Sequence, residues 1–317
     1  MRKIGIATTF ALGAMLLAGQ AFAQKDAQPG QGRAVVTILP AQKNGDVGPV
    51  SPQSLKVKVD GKQSSVLNFT PLREANSPVE LVLLLDSGAR TSLGTQFQDI
   101  QKFVGEMPPN TRMAIAYMEN GRAAFASQLS SNPSDVLKGL HVSTGFPGSN
   151  ASPYFCLSDL AKNWPSHDRT ARRQVLMITD GVDNYDRRFD PDDPYVQTAI
   201  NDSVRAGLAV NSIYWRDMGR FNSGLYATNA GQSLLSIVSQ ATGGKSYWQG
   251  LDNPVSIEPY FQDLRRRLNH QYELSFTAPS KGKPEVQSLK VDLHVPSTKI
   301  DAPQRVLVTG SVSAQGE

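Results

Sequence analysis

Two aspartates in this 317-residue chain each close an apolar run. Leu81-Val82-Leu83-Leu84-Leu85 ends in Asp86, and Val175-Leu176-Met177-Ile178-Thr179 ends in Asp180. Continuous runs of this kind are the signature of strands buried on both faces of a parallel sheet, and such strands deliver their last residues to the sheet's carboxyl edge. Two carboxylates gathered there need positive compensation, either from a divalent cation or from a cationic side chain. Asp86 is followed by Ser87, Gly88, Ala89 and Arg90. A guanidinium answers carboxylates through charge-assisted hydrogen bonds, but it has only donors and cannot ligate a cation. Two arrangements are open: Arg90 stands between Asp86 and Asp180 as their counter-charge, or it faces solvent while both carboxylates cap loop amides.

Other chemistry is sparse. The stretch 180–193 is dense in carboxylates, Asp183 among them, which makes calcium conceivable. Its spacing is not that of an EF-hand, however, and Arg187 and Arg188 interrupt it. Asp193 reads as the cap of a following helix that opens with Pro194. The four histidines, His141, His167, His270 and His294, form no metal-binding pair. There is no Gly-x-Ser-x-Gly elbow and no phosphate loop, and the lone Cys156 reads as helix filler. The chain is therefore expected to be non-catalytic and to need no resident cofactor, with Mg²⁺ or Ca²⁺ at the aspartates as the alternative. An enzyme whose catalytic groups escape this reading is a further possibility, and it would have to use the carboxylates of 180–193.

The elements that position these residues alternate between strand and helix from residue 78 to 271. Phe97, Ile100, Phe103, Val104 and Met107 recur at helical spacing. Ser152-Pro153 opens a second helix as cap and first residue, and Gly243-Gly244 closes a later one. In a doubly wound sheet the loops after parallel strands gather at one edge, here 87–94, 141–152, 181–194 and 216–230. The last is long and carries Phe221 and Tyr226, residue types favoured at protein interfaces. Ser87, Arg90, Ser149, Asp183, Phe221 and Tyr226 are the binding candidates on this edge. The run Arg265-Arg266-Arg267 reads as a solvated helix end.

Both flanks read as strands alone. Leu55, Val57 and Val59 alternate with lysines before an Asp60-Gly61 turn, and Leu289, Val291, Leu293 and Val295 alternate near the other end. Neither flank has enough strands for its own core, so residues 33–76 and 272–312 are expected to pair into a small antiparallel β-sandwich, with 77–271 inserted. The first residues have the form of an export signal. Arg2 and Lys3 precede an apolar stretch, and Ala21-Phe22-Ala23 places cleavage between Ala23 and Gln24. Residues 24–32 are then a disordered lead-in. The net charge of +4 falls by two when this leader is removed, which gives no case for nucleic acid. Periplasmic or extracellular residence follows, without stable membrane insertion after cleavage.

The Leu84-Leu85-Asp86-Ser87 and Ile178-Thr179-Asp180-Gly181 strand ends, the Ala241-Thr242-Gly243-Gly244 helix exit and their order resemble a von Willebrand factor type A domain over residues 78–271. With its flanks, including the Val57-Lys58-Val59-Asp60-Gly61-Lys62 hairpin and Tyr272-Glu273-Leu274-Ser275-Phe276, the chain is similar to the exported group called the VWFA-related acidobacterial type. The resemblance implies an α/β, doubly wound, mainly parallel sheet between helix layers. It also implies a metal-ion-dependent adhesion site at the sheet's carboxyl edge. That family's Asp-x-Ser-x-Ser motif falls on Asp86, Gly88 and Arg90, and its later aspartate on Asp180. Its loop threonine has only Ser149 and Ser152 as counterparts, Ser152 also being the helix cap. What remains is a degenerate site, with Asp86, Asp180 and Ser152 as its remnant. The implied role is adhesion-type binding of a protein or cell-envelope component, or, alternatively, that of a structural or accessory subunit of an envelope complex.

Overall fold

The computed structural model describes residues 30–42, 45–73, 77–143, 152–183, 185, 189–216, 224–247 and 250–310, with only the backbone at Arg90 and Thr91. Ala23, Gln24, Ser149, Phe221 and the side chain of Arg90 therefore lie outside the described residues, as do the expected leader and residues 24–29 of the lead-in.

The first strands are β1 (Gly30–Pro40), β2 (Leu55–Val59), β3 (Lys62–Ser64) and β4 (Val66–Pro71). The middle of the chain runs β5 (Val79–Asp86), α1 (Arg90–Gly94), α2 (Phe97–Gly105), β6 (Thr111–Glu119), β7 (Arg122–Phe125), α3 (Pro133–Leu137), α4 (Pro153–Lys162), β8 (Arg172–Thr179), α5 (Pro194–Ala206), β9 (Leu208–Tyr214), α6 (Leu225–Thr242), β10 (Ser246–Tyr247) and α7 (Glu258–Leu268). The last strands are β11 (Gln271–Ala278), β12 (Glu285–Leu293), β13 (Thr298–Asp301) and β14 (Arg305–Thr309).

The middle elements build a six-stranded sheet in the order β10-β9-β8-β5-β6-β7, parallel except for the β6–β7 pair. All residues of β5 and β8 are buried, as expected of central strands covered on both faces. Alternate residues feed two cores. Leu81, Leu83 and Leu85 meet Phe103 of α2 and Phe261 of α7, whose rings stack at 4.3 Å. Val82 and Leu84 meet Tyr154 and Leu157 of α4, Ile200 of α5 and Val238 of α6. Each such leucine contributes about 1.5–3 kcal/mol relative to exposure.

Both chain ends join one eight-stranded antiparallel sheet, in the order β3-β2-β12-β14-β1-β11-β4 with β13 on β1. A two-sheet sandwich is the expectation from the flanks. The structure instead has one sheet rolled on itself, because β3 and β4 lie at opposite edges of the strand order yet are separated only by Ser65. Ser65 accepts from the Thr277 amide at 2.9 Å and donates its own amide to the Thr277 hydroxyl at 3.0 Å. The roll encloses Val36, Ile38, Val57, Phe276, Leu289 and Val308. Asp60 and Gly61 take the left-handed backbone their turn requires, with φ of 46° and 75°.

Several expectations shift. Residues 30–32 belong to β1 rather than to a disordered lead-in, since Gly30, Gln31 and Gly32 pair with Ala278, Thr277 and Phe276. Residues 90–94 of the expected loop form α1. Residues 225–230 of the expected 216–230 loop are the first turns of α6, a run that holds no residue to break the helix once Gly224 has started it. Arg267 is buried rather than solvated, and it pairs with Asp301 at 2.7 Å, tying α7 to the rolled sheet. Arg172, also buried, donates to the Leu268 carbonyl at 2.7 Å, Gln271 Oε1 at 2.8 Å and the Ser77 carbonyl at 3.2 Å. It thereby clamps the points where the chain enters and leaves the α/β layer. No described helix is long and apolar enough to cross a membrane.

Candidate functional site

The winding of the sheet locates the site. From β5 the chain moves outward to β6 and β7, and from β8 it moves the other way, to β9 and β10. The reversal falls between neighbouring strands β5 and β8, whose pairing ends at Leu85 opposite Ile178. Ligands of open α/β sheets bind outside the carboxyl ends of strands at such a switch point, and Asp86 and Asp180 stand at these two strand ends, 5% and 4% exposed.

Asp86 is 5% exposed, and its carboxylate is engaged on both oxygens. Oδ1 accepts from the Gly88 amide at 2.8 Å, and Oδ2 accepts from Thr179 Oγ1 at 2.7 Å. Thr179 Oγ1 in turn accepts from the Gly181 amide at 3.2 Å, so one buried hydroxyl links the two strand ends. Asp180 Oδ1 accepts from the Val182 amide at 2.9 Å, and Asp183 Oδ1 from the Tyr185 amide at 2.8 Å. Amide capping by both strand-end aspartates is thus present.

Tyr154 donates to the Gly181 carbonyl at 2.8 Å from a fully buried position. Burial, reinforced by the negative charges of Asp183, Asp180 and Asp193, holds its phenol well above the ordinary range, so it stays a neutral donor. Gly181 has φ +68°, and a β-carbon on Gly231 of α6 would lie 2.1 Å from the Asp180 carbonyl oxygen. The loop after β8 therefore rests directly on the α6 backbone.

Ser152 is 1% exposed, and its hydroxyl accepts from the Tyr154 and Phe155 amides at 3.3 and 3.4 Å as the α4 cap. Ser87 is fully buried, and its hydroxyl has no hydrogen-bond partner among the described residues. Asp193 caps α5 through the Tyr195 and Val196 amides. The Cys156 thiol is buried, and burial together with the Asp86 charge pushes its pKa upward, away from a nucleophilic thiolate.

Hard cations take six or more oxygens. Gly88 offers no side chain, Ser152 is turned to helix amides and Asp86 is held by Thr179 and Gly88. Among the described residues no three of His, Cys, Asp or Glu gather as a metal-binding group.

An aromatic rim lies at this carboxyl edge, on the segment after β8 and the first turns of α4, α5 and α6. Phe155, Tyr185 and Tyr195 contact one another with ring centroids 4.9–5.4 Å apart. Tyr226, 66% exposed in the first turn of α6, accepts the Phe189 amide on its hydroxyl at 3.1 Å. Leu225 and Phe189 are exposed beside it.

A doubly wound sheet whose switch point carries paired strand-end aspartates is the arrangement that the sequence resemblance implies. The fold is von Willebrand factor type A-like. No family model matches the sequence, and no curated protein matches it. Among solved structures, the chain is similar to an aerotolerance-related membrane protein from Bacteroides fragilis, at 14% identity and a TM-score of 0.42, over 60% of this chain and 98% of that one. It is also similar to the conserved hypothetical protein BatB from Bacteroides thetaiotaomicron, at 10% identity and a TM-score of 0.44, over 60% and 97%. A third is the SpRpn10 VWA domain, at 10% identity and a TM-score of 0.41, over 59% and 95%.

Asp86 and Asp180 stand at the two strand ends and Ser152 caps α4, where the sequence reading places them. That reading missed Thr179, Tyr154 and Gly231. Thr179 had a signal, being a hydroxyl in an otherwise apolar run immediately before Asp180. Tyr154 and Gly231 act across the fold and leave no local mark.

Proposed function

We propose that this chain is an exported, non-catalytic binding module that recognises a protein or a cell-envelope component through the carboxyl edge of its parallel sheet. The observation that carries this reading is the exposed aromatic rim, Tyr185, Tyr195, Phe189 and Tyr226, on the same sheet edge as the two buried strand-end aspartates. Exposed aromatics clustered beside fixed polar groups have the composition of an interface hot spot. Arg90, directly after the 3₁₀ turn that closes β5, supplies the counter-charge in this reading and makes recognition independent of metal, or only weakly dependent on it.

Affinity capture from a native envelope extract, run with and without a chelator, tests the proposal. The expected result is a partner retained in chelator and bound about tenfold more weakly by Tyr226→Ala or Arg90→Glu. Capture unchanged in both variants would move the interface off this edge.

A second measurement addresses the metal. Titration with Mg²⁺, Mn²⁺ or Ca²⁺ is expected to give no saturable rise in melting temperature, because only a ligand that binds the folded state raises it. A saturable rise abolished by Asp86→Ala overturns the metal-independent reading.

A further inference from the structure

At the other end of the parallel sheet, where β8 and β9 begin, a cleft of about 450 Å³ separates the α/β layer from the rolled sheet. That volume falls in the range of small-molecule sites. The floor comes from β1 and β14. These strands pair over only Gln31–Thr309 and Gly32–Val308 before β1 turns to β13, so the cleft opens at their fork. Strand alternation sends Ala34, Val36, Val306 and Val308 into the rolled core, and it sets Arg33, Val35, Arg305 and Leu307 on the outward face. The roof comes from residues 169–174 and 204–209.

The charge of this lining is one-sided. It includes Arg33, Arg169, Arg172, Arg173, Arg205 and Arg305, and no aspartate, glutamate or lysine. Structural duties account for part of the set. Arg173 donates to the backbone oxygens of Ala206, Ser166 and Asp168, and it stands 3.9 Å from Glu80, which Arg112 also holds. Arg172 clamps the chain crossing, yet its buried Nε has no hydrogen-bond partner among the described residues. Burial, and behind it the charge of Arg73, brings Arg172 down to about 10.

The remaining four arginines are less committed. Arg33 is largely exposed and pairs with Glu273 at the margin, while Arg305 donates to the neutral Gln197 at 3.2 Å. Arg169 and Arg205 are exposed, and neither has an ion pair among the described residues. Like charges facing one half-enclosed space raise its potential and favour a multiply charged anion within it.

We propose that this cleft binds a compact soluble ligand carrying at least two oxyanionic groups, phosphoryl or carboxylate, held between Arg33 and Arg305 on the floor and Arg169 and Arg205 on the roof. Guanidinium forks match both oxyanions in geometry.

Isothermal titration at low ionic strength, with inorganic pyrophosphate in one arm and citrate in the other, tests this. The expected result is saturable binding of at least one probe at one site per chain. Preference for pyrophosphate assigns the site to phosphoryl ligands, and preference for citrate to polycarboxylates. Arg33→Gln and Arg205→Gln should each weaken binding about tenfold. Ligand-free melting should stay unchanged for Arg205→Gln, an exposed helix residue. Asp86→Ala, on the opposite edge, should leave this binding intact, so its outcome is separate from that of the rim. Absence of saturable binding by either probe, binding indifferent to both arginine variants, or equal loss in Asp86→Ala overturns the proposal.

Discussion

Replacing Glu80 with alanine should destabilise the fold by about 3–5 kcal/mol, the cost of removing one partner from a buried charge pair. Glu80 is the second residue of β5 and is wholly inaccessible. Strand register sets Arg112 on one side of it and Arg173 on the other, making a row of three charges across β6, β5 and β8. Arg112 pairs with Oε1, the Trp164 indole donates to Oε2 at 2.6 Å, and Arg173 Nε stands 3.9 Å from Oε2. The Arg173 guanidinium also lies 5.6 Å from the Trp164 ring centroid. Without the carboxylate, Arg173 stays buried with no acidic neighbour in the row, and the Trp164 N–H loses its acceptor. Arg112 is 43% exposed at its side chain, so water recovers most of its share. Glu80→Gln keeps an acceptor and the shape, and it should lose about half as much. Urea denaturation reads both: the midpoint should fall at unchanged slope. A loss below about 1 kcal/mol for the alanine variant would show that the row carries little of the stability. Because Glu80 lies at the amino end of β5, rim binding should survive wherever the variant remains folded.

The same residue shows what sequence conveys and what it hides. The run 81–86 announces its own burial through composition, and Ser152, Asp193 and the Asp60-Gly61 turn announce local hydrogen bonds that span no more than a few residues. Each of these occurs where the residue types place it. Glu80 adjoins the run as a polar blemish, and its partners at 112, 164 and 173 meet only after three strands align. The rolled sheet is hidden for the same reason. Alternation marks β2, β11 and β12 as half-buried strands, but whether the edges close depends on the crossing at Ser65 and its bonds to Thr277, 212 residues away. Arg265-Arg266-Arg267 illustrates the difference within one helix. Arg266 pairs within its own turn with Asp263, while Arg267, one residue on, faces inward to Asp301 of a strand that the sequence reading did not find. At the site, the strand-end carboxylates were legible because burial and chain order specify them. Thr179 as their link, Tyr154 as the donor to Gly181 and Gly231 as the seat of the loop required the packed geometry.

Gly231→Ala offers a prediction whose sign separates tertiary contact from helix propensity. Gly231 lies inside α6, where alanine is favoured by about 1 kcal/mol. Propensity alone therefore predicts stabilisation. The added β-carbon would sit 2.1 Å from the Asp180 carbonyl oxygen and 3.2 Å from the Gly181 carbonyl carbon, and both neighbours are backbone. The facing position is equally closed: a β-carbon at Gly181 would meet the Gly231 carbonyl oxygen at 2.6 Å, on a residue already at φ +68°. Neither side can yield by a rotamer change, so either α6 or the loop after β8 must move. The net effect should be a destabilisation of about 3 kcal/mol, the upper end for an overfilled core, despite the gain in propensity. Displacement also reaches the binding edge by two routes. Moving the loop breaks the Thr179–Gly181 and Tyr154–Gly181 bonds that set Asp180, and moving α6 carries Tyr226 away from the Phe189 amide. A fall in melting temperature together with loss of the captured partner, at a temperature where the variant is still folded, is the expected pair of results. A variant as stable as the parent, or more so, would mean that α6 and the loop separate without cost, and Gly231 would then be a permissive residue rather than the seat of the site.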